Sequence, residues 1–248
     1  MLKIDNITKT YNNNGQLIEA VNKISLEIKD RRFIAFVGPS GCGKTTLLKI
    51  IAGLLEPSAG EVILDGKKIL EPSRERGMIF QNFSLFPWLT VRENISFGLN
   101  LQNLLEQKKS EIIEHYLSIT GLADFANAYP KNLSGGMQQR LAIARTLANN
   151  PKVLLMDESF GSLDSQTRSR MQEFLTKLWE SDKKTILFVT HDVEEAIFLA
   201  DEVYLLSQRP AQIKQIFKVP FDRPRLHELK YLQEFFELEK EIAKQLEY

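Results

Sequence analysis

Gly38-Pro39-Ser40-Gly41-Cys42-Gly43-Lys44-Thr45-Thr46 decides how this 248-residue chain reads. The stretch fits the phosphate-cradling pattern G-x-x-x-x-G-K-[ST]. Before it stands Phe33-Ile34-Ala35-Phe36-Val37, a short apolar run of strand type; after it, Thr45-Thr46-Leu47-Leu48-Lys49-Ile50-Ile51 opens a helix. The chemistry needs both neighbours. Gly38, Gly41 and Gly43 let the backbone turn tightly and aim N–H groups at β- and γ-phosphates. The helix N-terminus adds partial positive charge. Lys44 supplies a full charge, and the Thr45 hydroxyl is placed to ligate Mg²⁺. A chance glycine-rich turn would lack the flanking strand and helix.

Two stretches downstream extend the reading. The apolar run Val153-Leu154-Leu155-Met156 closes on Asp157-Glu158. Asp157 would emerge from a strand end as a second Mg²⁺ ligand, and Glu158 could accept a proton from an attacking water. Alone, this is equally an ordinary strand ending in acidic turn residues; the phosphate loop upstream gives it a purpose. The other stretch is Leu133-Ser134-Gly135-Gly136-Met137-Gln138-Gln139-Arg140. Ser134 can cap a helix from Gly135 to about Leu147, and the two glycines leave its N–H groups open. That is a second anion site, too far along the chain to be assumed part of the first.

At this point the chain resembles the ATP-binding-cassette (ABC) ATPases, whose signature sequence Leu133–Arg140 is similar to. The resemblance runs from Leu2 to about Val219. It implies a phosphate-loop (RecA-like) α/β core with an N-terminal antiparallel β subdomain and an inserted helical subdomain. It also implies two ATP molecules sandwiched in a head-to-tail homodimer, with Ser134, Gly135, Gly136 and Gln138 of one copy on the nucleotide that the partner's phosphate loop holds. All nine loop residues from Gly38 to Thr46 are expected to bind nucleotide, with Lys44 also catalytic. By position, Gln81 resembles the glutamine linking Mg²⁺ and water to the helical region. His191, in Val189-Thr190-His191-Asp192, resembles the histidine that contacts the γ-phosphate and orients the water. Asp164 resembles a loop aspartate at the dimer interface, and is equally a helix N-cap for residues 165 to 179. Tyr11 resembles the aromatic that stacks on adenine. Mg²⁺ would be held by Thr45, Gln81 and Asp157; Glu158 would be the base, with His191 assisting. Of the three histidines, His115 and His227 sit in polar helical contexts and read as structural or exposed.

Two positions depart from the family pattern: Ser159 stands where Pro is usual, and Ser162 where Ala is usual. Neither removes a charge or a phosphate ligand. Ser159 restores a backbone N–H and frees φ, which would loosen the loop holding Glu158.

Periodicity gives the layout. Residues 2 to 28 alternate as β structure around Asn12-Asn13-Asn14-Gly15, and Glu61-Val62-Ile63-Leu64 ends in an Asp65-Gly66 turn. From Thr90 the pattern turns helical, opening on the capping box Thr90-Val91-Arg92-Glu93. Strand and helix then alternate to about Leu206, as a parallel sheet demands. One ATPase domain is expected over 1–248: an α/β core with its β subdomain in 1–84 and 149–220, a helical subdomain in 85–148, and a helical tail in 221–248. In the tail, Leu229, Leu232, Phe235, Phe236, Ile242 and Leu246 recur at near-helical spacing, as if to pack on the core.

Composition bounds the partners. Lys+Arg and Asp+Glu both number 32, so nothing asks for a nucleic acid. With hydrophobic content at 43%, a sizeable core can form. The single cysteine, Cys42, excludes an internal disulfide and would lie open to oxidation in the phosphate loop. No apolar run reaches the length of a membrane span, and Met1-Leu2-Lys3-Ile4-Asp5 does not read as a signal peptide. The expected setting is the cytoplasmic face of the cell membrane.

Gln81-Asn82-Phe83-Ser84-Leu85-Phe86-Pro87-Trp88-Leu89-Thr90-Val91 resembles the ATPases of bacterial importers. Pro87-Trp88, Ser207-Gln208-Arg209-Pro210 and Pro220-Phe221-Asp222-Arg223-Pro224-Arg225 resemble the nitrate/sulfonate/taurine/bicarbonate subgroup. The resemblance implies two membrane-spanning permease subunits as partners and, through them, an extracytoplasmic solute-binding protein. Phe83, Phe86 and Trp88 either receive a helix of the membrane subunit or build the helical subdomain's own core. The alternatives are an exporter ATPase, a DNA-repair ATPase (which would need a coiled-coil insertion), a translation-associated ABC protein (which would carry two cassettes), and a small-molecule kinase (which would lack Ser134-Gly135-Gly136).

Overall fold

A computed structural model describes residues 1–161 and 163–246; Ser162, one of the two departures, lies outside the described residues, and the tail is described as far as Leu246. The chain opens with β1 (Leu2–Asn13), β2 (Gln16–Ile28) and β3 (Phe33–Val37), followed by α1 (Lys44–Ala52). Next come β4 (Ala59–Leu64), β5 (Lys67–Lys68) and β6 (Arg76–Ile79). Helices α2 (Val91–Asn100), α3 (Glu106–Ile119) and α4 (Gly135–Leu147) fill the middle. Strand and helix then alternate through β7 (Val153–Asp157), α5 (Ser165–Ser181), β8 (Thr185–Thr190), α6 (Val193–Leu199), β9 (Glu202–Leu206) and β10 (Ile213–Lys218), before α7 (Gln233–Leu246).

Local chemistry sets these boundaries. Asn14 and Gly15, at φ 51° and 90°, form the tight turn between β1 and β2. Thr90 and Glu93 make both reciprocal bonds of the capping box at the start of α2. Ser134 caps α4, accepting from the Met137 N–H at 3.3 Å, and Asp164 caps α5 through the Thr167 N–H at 3.0 Å. Helix α1 starts at Lys44, and α5 runs to Ser181, two residues past the expected end.

Two sheets result. The first is antiparallel, in the order β2-β1-β4-β5. The second follows β10-β9-β3-β8-β7-β6, with all strands parallel except β10, which turns back antiparallel on β9. Its central strands are buried on both faces, and alternate residues go to different cores. Ala35, Leu154, Met156 and Phe188 face the side covered by α4, α5, α6 and α7. Ile34, Phe36, Leu155 and Leu187 face α1 and the antiparallel sheet. A third cluster draws all its fully buried members from Val91–Ala148, the helical stretch.

The tail packs less completely than its spacing suggests. Phe235 and Ile242, seven positions apart, enter the core, but Leu232 and Phe236 stay about half exposed. One face of α7 meets α6, and the adjoining residues are left on the outside. Among the aromatics open to two readings, Phe83 packs on the main core, whereas Trp88 is 69% exposed. Phe86 lies between them in character, its ring tilted against Trp88 and Phe97 and capped by the Arg145 guanidinium at 5.0 Å.

Candidate functional site

The carboxyl ends of parallel strands gather the candidate residues, because each strand ends on the same edge of the sheet. The phosphate loop follows β3, Asp157 ends β7, and His191 follows β8. Strands β7 and β8 pair up to Asp157 and Val189, so Glu158 and His191 lie just beyond neighbouring strand ends.

The loop is held by its own carbonyls. The Lys44 ammonium, 4% exposed, donates to Gly38 O at 2.7 Å and Pro39 O at 2.9 Å. A lysine has three N–H donors, so one remains for a ligand. Gly43 sits at φ 127°, and a Cβ there would stand 2.3 Å from Ala20 O, so only glycine fits. The loop is thus pressed against β2, and the first residues of α1, Lys44 to Thr46, line the cavity. Gly38 is buried, Pro39 half-buried and Ser40 exposed. Cys42 departs from expectation: its side chain is 2% exposed and belongs to the core on the α1 side, so the thiol is not open to reagents. Its N–H turns back to Pro39 O at 3.3 Å.

Two oxygen donors meet below the loop. The Thr45 hydroxyl donates to Asp157 Oδ1 at 2.9 Å. Burial pushes the Asp157 carboxyl above its ordinary range, the Thr45 bond opposes the shift, and the neighbouring Glu158 charge adds to it. A buried carboxylate against a hydroxyl suits Mg²⁺, which takes oxygen ligands, few of them from protein. No group of three or more His, Cys, Asp or Glu side chains converges to hold a metal among the described residues, here included, so the protein's share of the shell is small.

Glu158 follows directly. Its backbone has φ 42°, a left-handed conformation uncommon for a side-chain-bearing residue. Its N–H bonds Val189 O at 2.9 Å, which ties the turn to β8. Its carboxylate lies 3.9 Å from Lys44 Nζ and 3.8 Å from His191 Nδ1. Glu158 is therefore aimed at the space over the loop, between a cation and an exposed imidazole. Ser159 is fully buried, and its hydroxyl finds no partner.

A cavity of about 510 Å³ opens above these groups, lined among others by Tyr11, Gly43, Lys44, Thr45, Thr46 and Glu158. Tyr11 lines the cavity; its hydroxyl lies 3.3 Å from Thr46 Oγ1, and Lys9 Nζ lies 5.5 Å from its ring centre. Five lining residues fall outside the sequence-predicted site: Asn12, Asn13, Ile18, Ala20 and Arg209, of which Arg209 brings a charge. Its guanidinium bridges from the β9–β10 turn to Gly41 O, at 3.1 Å from Nε and 2.7 Å from Nη2. The Ser207-Gln208-Arg209-Pro210 stretch stood out, but its 168-residue separation from Gly41 hid the contact.

The structure does not bring every candidate to this cavity. Among its described lining residues are none of Gln81, Ser134, Gly135, Gly136, Gln138, Asp164 or His191. Gln81 is exposed just after β6. The Gln138 amide donates to Pro130 O at 3.0 Å and Leu133 O at 3.2 Å, so it braces the loop leading into α4. Ser134 and Gly135 are exposed, and a Cβ on Gly136 would meet Thr167 Cγ2 at 2.6 Å, so α4 and α5 begin side by side. The cap bond to the Thr167 N–H holds the exposed Asp164 carboxyl below its usual range.

Known proteins resemble this chain in sequence and fold. The ABC transporter family model matches residues 21–161. A nitrate import ATP-binding protein of Synechocystis sp. is 45% identical across 98% of this chain and 93% of its own length. An aliphatic sulfonates import ATP-binding protein of Bacillus cereus is 42% identical across 100% and 96% respectively. The solved dimeric structure of the ATP-binding cassette MJ0796 bound to ADP and Pi superimposes with a TM-score of 0.78 at 35% identity, covering 90% of this chain and 100% of that one. The chain belongs to the ABC transporter family, as an ATP-binding cassette.

Proposed function

We propose that the chain is the ATP-hydrolysing subunit of an importer for a small anionic solute of the nitrate or sulfonate kind. The observation that carries the chemistry is the convergence of Lys44, the Thr45–Asp157 pair, and Glu158 beside His191 at one sheet edge. Lys44 and the loop N–H groups hold the β- and γ-phosphates, and Tyr11 stacks on the adenine. Thr45, Asp157 and Gln81 would hold Mg²⁺, which when bound neutralises phosphate charge. Glu158 takes a proton from water as the water oxygen bonds to the γ-phosphorus; the bond to the bridging oxygen breaks, and ADP and phosphate leave. His191 orients that water. The solute class is supported by relatives of nearly equal length whose names specify nitrate and aliphatic sulfonates.

The signature edge supports a two-copy arrangement. Ser134, Gly135 and Gly136 are absent from the described lining of the chain's own cavity, yet Ser134 and Gly135 are exposed at the capped N-terminus of α4. Two copies set head to tail place that edge, with Asp164 nearby, on the partner's nucleotide. ATP favours the closed pair, a ligand-driven population shift. Residues 85–148 act as the unit that passes the motion to two membrane-spanning permease subunits on the cytoplasmic face, with a solute-binding protein on the far side. No helix among the described residues is long and apolar enough to cross a membrane.

Glu158→Gln tests the reading. It should keep ATP binding, lower turnover by about a hundredfold or more, and accumulate dimer in gel filtration with ATP. Wild-type turnover would remove Glu158 as the base.

A further inference from the structure

The segment after β10 does more than pack. Arg225 is 4% exposed, and its Nη1 donates to Ile197 O, Phe198 O and Ala200 O at 2.9, 3.1 and 2.7 Å. Arg223 Nη2 donates to Leu199 O at 2.5 Å, and the same guanidinium pairs with Asp201 and lies 4.2 Å from the Trp179 ring centre. The four carbonyls from 197 to 200, at the C-terminal end of α6, are therefore all taken by two arginines. Helix ends leave such carbonyls unpaired, and cations are favourable there.

The other end of α6 is held by the same segment. Lys230 donates to Glu194 Oε1 at 2.6 Å and to Gln172 Oε1 at 2.9 Å. Gln172, 2% exposed, passes on a bond of 3.2 Å from Nε2 to Glu195 Oε1. Glu195 Oε2 accepts from the Thr190 hydroxyl at 2.6 Å, and that hydroxyl accepts the Asp192 N–H at 3.1 Å. Asp192 itself caps α6 through the Glu195 N–H at 3.0 Å. Both residues flanking His191 are thus fixed by one buried network that ends on Lys230. No hydrogen bond or ion pair joins His191 to the segment; its backbone is flanked by Thr190 and Asp192, which the network holds.

We propose that residues 221–230 form a strap that positions His191, with Arg225 and Lys230 as positioning residues for hydrolysis. Arg223 and Arg225 anchor α6 at its far end, while Lys230, Gln172 and Glu195 set the turn that carries the imidazole. The inference rests on the role given to His191 above. It predicts that weakening the strap slows the chemical step and leaves nucleotide binding alone, since Lys44 and the loop stand on other elements.

The experiment measures MgATP affinity and steady-state hydrolysis for the full chain with Lys230→Met, Lys230→Arg, His191→Ala, and the Lys230→Met/His191→Ala pair. Lys230→Met should lower kcat about fivefold or more with Kd within about twofold, and Lys230→Arg should recover most of the loss. In the His191→Ala background, adding Lys230→Met should change the residual rate by less than about twofold, because both act through one group. Arg225→Ala should behave alike; if it does not fold, the Lys230 set still decides. An unchanged kcat for Lys230→Met, or a loss that carries undiminished into the His191→Ala background, overturns the strap alone. Wild-type hydrolysis by His191→Ala overturns the histidine's role and the strap with it.

Discussion

Thr45 and Asp157 lie 112 residues apart in sequence, yet the Thr45 hydroxyl donates to Asp157 Oδ1 at 2.9 Å. The bond joins the first turn of α1 to the end of β7. It does so around a carboxylate that burial makes reluctant to ionise. A divalent cation bound at this pair would relieve a cost already present in the protein.

Asp157→Asn separates these effects. The amide keeps an oxygen for Thr45 but removes the buried charge, so the nucleotide-free protein should melt no lower than wild type. MgATP affinity should fall about tenfold or more, while the weaker binding of metal-free ATP changes little. Calorimetric titration with and without Mg²⁺ checks both. Unaltered MgATP affinity would take Asp157 out of the metal shell.

Ser159→Ala should stabilise the chain. The wild-type hydroxyl is buried without a partner, a loss of about 1–3 kcal/mol for an unsatisfied polar group. Thermal denaturation should show a higher Tm for the alanine variant. A lower Tm would mean that the hydroxyl is satisfied in solution.

Glu195 links stability to pH. Burial raises its pKa from 4.5 to about 7, against the bonds from Thr190 and Gln172 and together with the nearby Asp192 charge. Between those values the folded state holds a proton that the unfolded state has released, so stability falls as pH rises through the window and stays lower above it. Glu195→Gln removes this titration. Urea melts from pH 5 to 8 should show a shallower decline for the variant; equal slopes would place the titration elsewhere.

Arg209 and Tyr11 line the same cavity by different chemistry. Arg209→Ala frees the Gly41 carbonyl and removes a cation, so affinity should fall about fivefold for ATP and ADP and less for AMP. Tyr11→Phe keeps the stacking face and should cost little, whereas Tyr11→Ala should weaken binding of all three by about tenfold. Fluorescent-nucleotide competition reads each; equal affinities for Tyr11→Ala and wild type would end the stacking role.

Much of the fold around the candidate site is legible in the sequence wherever the cause is local. The Asn14-Gly15 turn, the Thr90–Glu93 box, and the caps at Ser134 and Asp164 each depend on a few neighbouring residues, and each forms where its pattern lies. The α/β core follows from alternating apolar runs and helices. What stayed hidden depends on partners distant in sequence. Cys42 looked accessible from its loop but turns into a core shared with β1 and β2. Arg209 reaches Gly41 across the sheet, and Arg225 reaches back to α6. The half-exposed Leu232 and Phe236 show the same limit from the other side, since helical spacing says which residues share a face and not how wide a neighbour covers it.

The exposed start of α4 has a kinetic corollary. If each hydrolytic centre is completed by a second molecule, specific activity in dilute solution climbs with protein concentration and the rate approaches second order in chain. Tethering two copies, as paired permeases would, makes the encounter intramolecular, so turnover per pair no longer depends on chain concentration.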